Sequence, residues 1–253
     1  MTKIALITGA TSGIGYATAL KLAENGYDTI ITGRRLNLLS ELEKRIKKNY
    51  KVNVLSLSFD IRNNDEIVKI FEKLPQNWQK IDILVNNAGL AVGLEPIQTG
   101  KIDDWERMID TNLKGLLYIT RKVAPLMIQN KSGHIINIGS IAGKEVYPNG
   151  NVYNATKHAV DALSQAMRID LVGHGIKVTA IHPGMVETEF SLVRFKGNEK
   201  TAKDVYKGFD PLMAEDIADS IIFAITRPAH VNINDMLIMP TAQASATVIN
   251  KEV

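Results

Sequence analysis

Tyr153 and Lys157 stand four residues apart in the stretch Tyr-Asn-Ala-Thr-Lys, and Ser140 precedes them. On a helix, side chains at i and i+4 share one face, so a phenol and an ammonium at this spacing can serve one small volume. A free phenol, with a pKa of about 10, is a poor proton donor or acceptor at neutral pH. A fixed cation beside it favours the phenolate and moves that value toward the working range, as a tyrosine acid/base requires. The spacing alone arises by chance on many amphipathic helices, so its meaning depends on the rest of the chain.

A second chemical feature lies at the amino end. The apolar run Ile4–Thr8 leads straight into Gly9-Ala10-Thr11-Ser12-Gly13-Ile14-Gly15 and then into a helical pattern. Glycines at a strand-to-helix junction let the backbone turn sharply and approach a ligand closely. The new helix offers free N–H groups and the positive end of its dipole to a phosphate. The spacing G-x-x-x-G-x-G differs from the general G-x-G-x-x-G fingerprint, so its place directly after the first strand carries the reading. The next strand ends at Thr32-Gly33-Arg34-Arg35, where a dinucleotide site meets the adenosine ribose. An acid there would bind the 2′-hydroxyl, but the nearest acid, Asp28, begins the strand. Two arginines suit a 2′-phosphate, which predicts NADP(H) over NAD(H), with Arg34 the principal expected contact and Arg35 beside it.

These residues need a scaffold, and its pattern is regular. Strand-like runs at Ile4–Thr8, Thr29–Thr32, Val52–Ser58, Ile81–Asn86, His134–Ile138, Lys177–His182 and Met236–Met239 alternate with helical stretches. Those stretches are Gly15–Asn25, Leu38–Asn49, Asp65–Lys73, Asp103–Gln129, Val152–Val172 and Ala214–Thr226. Such alternation predicts an α/β fold: a single Rossmann-type, doubly wound parallel sheet of about seven strands with helices on both faces. No repeat or linker divides the chain, so one dinucleotide-binding and catalytic domain is expected over 1–253. The irregular stretch at about 185–210 is expected to be a substrate lid.

Composition narrows the partners. The 253 residues are 45% hydrophobic and 23% charged, with a formal net charge of +3 and no cysteine. That is ordinary for a soluble globular protein and excludes disulfides, thiolate metal sites and cysteine nucleophiles. The largest basic cluster, Lys44-Arg45 with Lys47-Lys48, has no interleaved aromatics, so no nucleic-acid partner is expected. No apolar run reaches the length of a signal core or a membrane span, and a cytoplasmic location is the expectation. The five histidines are read as scattered structural residues without acids nearby, and no metal is expected.

Taken in order, the glycine turn, Asn86-Asn87-Ala88-Gly89, Asn112, Ser140, Tyr153, Lys157 and Pro183-Gly184 resemble the short-chain dehydrogenase/reductase family along essentially the whole chain. The segments Val186–Gly197, Pro211–Met213 and Pro240–Ser245 look like that family's NADP-dependent 3-hydroxy acid dehydrogenases, also called serine 3-dehydrogenases or L-allo-threonine dehydrogenases. The resemblance implies that Tyr153 is the acid/base and that Lys157 lowers its pKa and binds the nicotinamide ribose. It implies that Ser140 holds the substrate oxygen, and that Asn112, in a helix, keeps a water linking Lys157 to solvent. It places Gly9, Thr11, Ser12, Gly13, Ile14, Gly15, Arg34 and Arg35 on the cofactor. Asp60 and Ile61 would meet the adenine, Asn86, Ala88 and Gly89 would shape the cleft, and Pro183, Gly184, Val186 and Thr188 would border the nicotinamide. It also implies a homotetramer.

A small hydroxy acid needs a counter-charge, for which Lys144, Arg194 and Lys196 are the candidates. Two other readings stay open: an NADPH-dependent reductase of another carbonyl, such as a 3-ketoacyl thioester, sugar or bulky ketone, and a nucleotide-sensing protein without turnover. The complete Asn112, Ser140, Tyr153, Lys157 set favours an enzyme. A Rossmann-like methyltransferase would leave the tyrosine–lysine pair and the arginines without a purpose.

Overall fold

The computed structural model describes residues 2–252. Seven strands form one sheet: β1 (Ile4–Ile7), β2 (Asp28–Gly33), β3 (Val54–Ser58), β4 (Ile81–Asn86), β5 (Gly133–Ile138), β6 (Ile176–Pro183) and β7 (Asp235–Ile238). Their spatial order is β3-β2-β1-β4-β5-β6-β7, and every neighbouring pair is parallel. The chain builds outward from β1 to β3, then returns to start the other half at β4. That reversal opens a crevice beyond the carboxyl ends of β1 and β4, where such sheets bind ligands.

Alternate strand residues feed two cores. Leu6, Ile30, Leu84, Ile135 and Val178 pack on one face with α3 (Asn64–Glu72), α5 (Leu116–Gln129) and α6 (Asn151–Leu171). Ile7, Ile31, Val85, Ile136 and Ile181, at the alternate positions, pack on the other face with α1 (Gly13–Glu24), α2 (Leu36–Asn49) and α9 (Ala214–Ile225). Burial on both faces explains why the strands read as continuous apolar runs. Full burial of an aliphatic side chain stabilises by roughly 1.5–3 kcal/mol, so two such layers hold the strand ends rigidly.

Two segments depart from the pattern. The single helix expected over Asp103–Gln129 is α4 (Ile102–Ile109), a π-helical stretch Asp110–Gly115, and then α5. The wide turn is pinned by contacts that periodicity does not reveal. Asn112 donates to the Leu90 carbonyl and to Thr156 Oγ1 and accepts from the Leu90 N–H, while a Cβ at Gly115 would lie 2.9 Å from Ile61. Isolated π turns of this kind concentrate at functional sites. The stretch 185–210 is partly ordered into α7 (Phe190–Arg194) and α8 (Glu199–Asp204), the latter capped by Asn198, whose Oδ1 accepts from Thr201 N–H. Gly93 N–H donates to the Arg194 carbonyl and Glu252 N–H to the Gly208 carbonyl, which tie this segment to the rest of the chain, while Tyr206 donates to the Val186 carbonyl within it. Among the described residues, no helix is long and apolar enough to cross a membrane.

Candidate active site

The crevice runs from the glycine turn to the start of α6. Gly9 and Gly13 have φ of 67° and 53°, in the left-handed region that favours glycine. A Cβ on Gly9 would lie 2.9 Å from the Ala88 backbone, and one on Gly13 would lie 3.2 Å from Thr188. Thr11, Ser12 and Ile14 complete this wall. Gly15 does not line the crevice. A Cβ there would strike the Gly9 carbonyl and the Asn87 amide, so Gly15 serves the packing beneath the turn. Asn87 secures the turn by donating to the carbonyls of Thr8 and Gly9. The neighbouring Asn86, expected in the cleft, instead points into the core and donates to Thr120 and Asn137. Strand alternation sends one asparagine to each side, and the sequence reading chose the wrong one.

Arg34 and Arg35 both line the crevice beside this turn. Arg35 is the more fixed of the two, donating to Thr11 Oγ1 at 3.2 and 3.0 Å and to Ser12 Oγ at 2.9 Å, and pairing with Glu189 at 3.1 Å. Asp28 lies at the far end of β2, where it accepts from Asn53. Asp60 and Ile61 line the crevice next to Arg34, but the Asp60 carboxylate is held by Arg62 at 2.6 Å, which keeps its pKa below the usual range. A glycine cradle facing a helix start, beside two arginines, fits a dinucleotide bearing a 2′-phosphate.

At the other end lie Ala88, Gly89, Ser140, Tyr153, Lys157, Pro183, Gly184, Val186 and Thr188. Ser140 and Tyr153 are both buried and both line the crevice, and the Ser140 hydroxyl acts to lower the pKa of the Tyr153 phenol. Lys157 is buried one helical turn on and donates to the Ile138 carbonyl at 2.8 Å. Asn112 approaches from the π turn, close enough that a Cβ on Gly89 would lie 3.3 Å from its Oδ1 and 3.6 Å from Lys157 Nζ.

The electrostatics correct one expectation. Lys157 Nζ sits 5.9 Å from the Tyr153 ring centre, yet burial dominates and pushes the phenol well above its ordinary pKa. Tyr147 adds to that rise, and the Ser140 hydroxyl and the Arg194 guanidinium oppose it. Burial also brings Lys157 down, to about 8. The cation that counters the rise is therefore Arg194.

The three candidates for the substrate's counter-charge separate clearly. Lys144 is bound to Asp161 at 3.0 Å and Asp235 at 2.8 Å, and Lys196 to Asp104 at 2.5 Å, whereas Arg194 pairs with no carboxylate among the described residues; none of the three lines the crevice directly. Arg194 follows the crevice-lining Val193, and its guanidinium carbon lies 5.6 Å from the Tyr153 ring centre and 5.2 Å from that of Tyr147. It donates to Tyr147 Oη at 2.6 Å, while its buried Nε has no partner. Sequence reading missed Tyr147, Phe190 and Val193 here because apolar and aromatic residues in an irregular stretch carry no spacing signal. It also missed His182, which lies with Asp161 and Asp235, ligand atoms within 4.8 Å of one another. Those acids come from distant parts of the chain, which is why the histidines looked isolated.

The family model described as short chain dehydrogenase matches residues 3–198. The chain is 48% identical over 244 residues to the NADP-dependent 3-hydroxy acid dehydrogenase YdfG of Salmonella typhi, covering 96% of this chain and 97% of that protein. It is 42% identical over 254 residues to sulfoacetaldehyde reductase 2 of Chromohalobacter salexigens, covering both in full. The closed form of a serine dehydrogenase complexed with NADP+ superposes with a TM-score of 0.93 at 45% identity, over 99% of this chain and all of that one.

Proposed function

Because this chain belongs to the short-chain dehydrogenase family, we propose that it transfers a hydride between NADP(H) and the 3-hydroxyl or 3-oxo group of small acids such as serine, allo-threonine, 3-hydroxy acids or their semialdehydes. It is an NADP-dependent oxidoreductase, and bound NADP(H) supplies the hydride acceptor or donor. The glycine turn and the first turn of α1 hold the pyrophosphate, Arg34 and Arg35 the 2′-phosphate, and Pro183, Gly184 and Thr188 border the nicotinamide.

The proton is handled by the protein. Ser140 holds the substrate oxygen next to Tyr153, which takes the hydroxyl proton during oxidation and returns it during reduction. The raised phenol pKa keeps Tyr153 protonated at neutral pH, ready to act as the acid of the reductive direction. Oxidation needs the phenolate, so its rate should climb with pH on the alkaline side. Lys157 contributes positive charge near the phenol and the nicotinamide ribose, and Asn112 supports a water path from Lys157 to solvent at the π turn.

One observation carries the substrate class: the Arg194 guanidinium, beside the Tyr153 ring, with a buried nitrogen that has no partner. A carboxylate two bonds from the reacting carbon would satisfy it. The relative named for sulfoacetaldehyde favours an anionic end of this kind and makes a sulfonate the neighbouring choice. The stretch 185–210, which brings Phe190 and Val193 to the crevice, is proposed as the lid. A cytoplasmic location and a homotetramer complete the proposal on family resemblance; the exposed Leu117, Ile169 and Val172 offer the tetramer an apolar surface.

The test is a substrate panel: serine, allo-threonine, 3-hydroxybutyrate and 3-hydroxypropionate with NADP+, the matching semialdehydes or 3-oxo acids with NADPH, and NAD(H) controls. Turnover confined to acids with a 3-hydroxyl and faster with NADP+ supports the proposal. Preference for a 3-ketoacyl thioester, a sugar or a bulky ketone would replace it with the broader carbonyl reductase reading.

A further inference from the structure

Behind Ser140, away from the residues that line the crevice, four charged or titratable side chains meet. His182 on β6 is fully buried, and a Cβ on Gly139 would strike its ring. Both ring nitrogens face oxygen. Nδ1 lies 3.3 Å from the Ser140 carbonyl, and Nε2 lies 3.0 Å from Asp235 Oδ2 and 3.6 Å from Asp161 Oδ1. Lys144 Nζ donates to the same two carboxylates. The ammonium already bridges the acids, so the arrangement is an ion-pair cluster and not a metal cage.

The cluster sits at the two ends of the turn that carries Ser140. Ser140 caps the short 3-10 turn Ile141–Gly143 by accepting from the Ala142 N–H at 3.1 Å, and its carbonyl accepts from the Gly143 N–H at 2.8 Å. Lys144 closes the same turn. Its partner Asp161 lies one helical turn beyond Lys157 on α6, so the cluster joins the element bearing Tyr153 to the segment bearing Ser140. A hydroxyl that must meet a phenol oxygen needs such support, because small displacements of a reacting group cost large factors in rate.

We propose that His182 is a positioning residue for Ser140: with Asp235, Asp161 and Lys144 it forms a strut that holds the Ser140 hydroxyl at the Tyr153 phenol. This rests on the role proposed above for Ser140. A neutral imidazole carries one N–H and can donate to Asp235 or to the Ser140 carbonyl, whereas the imidazolium donates to both. With the imidazolium, the cluster contains two cations and two anions. Burial lowers the pKa of the ring and Lys144 works in the same direction, while Asp235, Asp161 and the Ser140 carbonyl pull it back up. The net direction is downward from 6.5, so the ring changes its grip on the Ser140 carbonyl in acid.

The test compares H182A, H182N, D235N and S140A with the unaltered enzyme, measuring kcat and KM across pH 5–9, NADPH affinity by fluorescence, and folding by circular dichroism. Asparagine can present an amide N–H near the place of Nδ1 but does not titrate. H182A should lose kcat by at least about tenfold with NADPH affinity within about twofold, and H182N should recover it to within about threefold. The kcat profile should show an ionisation below pH 6.5 that is absent from H182N and shifted to lower pH in D235N, because Asp235 favours the charged ring. An H182A enzyme with kcat within twofold and an unchanged profile overturns the inference, as does an H182N enzyme no better than H182A. If neither His182 variant folds, D235N decides: an unmoved ionisation overturns the strut. S140A separates the two claims. An active S140A removes the premise and the inference together, whereas an inactive S140A beside unaffected His182 and Asp235 variants overturns the strut alone.

Discussion

Around the glycine turn the wall of the crevice is backbone, while around Arg194 it is side chain, and the two surfaces obey different constraints. Gly9 and Gly13 hold positive φ, and a Cβ would strike the Ala88 backbone at Gly9 and crowd Thr188 at Gly13, so this part of the nucleotide half depends on residues without a side chain. At the substrate half, Arg194, Tyr147, Phe190 and Tyr153 lean on one another, with the Tyr153 and Phe190 ring centres 5.6 Å apart. The glycine turn suits the pyrophosphate common to every dinucleotide, and only the neighbouring Arg34 and Arg35 make that half selective. The substrate half can be re-cut by substitutions that leave the fold untouched, which is how one scaffold serves many substrates.

The largest effect that would sharpen this contrast is on the nucleotide side. Gly13→Val places a β-branched residue at φ 53° with its Cβ 3.2 Å from Thr188. NADPH affinity should fall by about a hundredfold or more, measured by fluorescence titration, for every substrate alike. Unchanged affinity would break the backbone account. A smaller and more selective effect is expected on the other side. Arg194→Gln should lower kcat/KM for hydroxy acids by about 10–100-fold, the loss of a charge-assisted hydrogen bond, and leave NADPH affinity alone. Uncharged aldehydes should lose little; equal losses for charged and uncharged substrates would show that Arg194 only props up Tyr147.

The same contrast explains what the sequence made legible. The parallel sheet of about seven strands, the helices on both its faces, the glycine turn and the Tyr153–Lys157 spacing follow from periodicity and from motifs local in the chain, whereas the strand order comes only from the folded chain. Asn86 and Asn87 could not be told apart because one residue of register exchanges core and crevice. The π turn at Asn112 was invisible because it depends on Leu90, Thr156 and Ile61, each distant in sequence. Lys144 and Lys196 looked as available as Arg194, and only the folded chain shows that Asp161, Asp235 and Asp104 had already claimed them. Charge pairing between remote segments leaves no pattern in a single sequence, and it decided most of the substrate half.

The central claim is that Tyr153 moves the proton while the rest of the crevice binds. The direct measurement is single-turnover hydride transfer by Tyr153→Phe with a saturating hydroxy acid, alongside NADPH titration of the same protein. The buried ring should pack as before, so NADPH affinity is expected within about threefold of the unaltered enzyme, with turnover reduced by at least about a thousandfold. A Tyr153→Phe enzyme that still turns over within tenfold would contradict the account and move the acid/base role to another group.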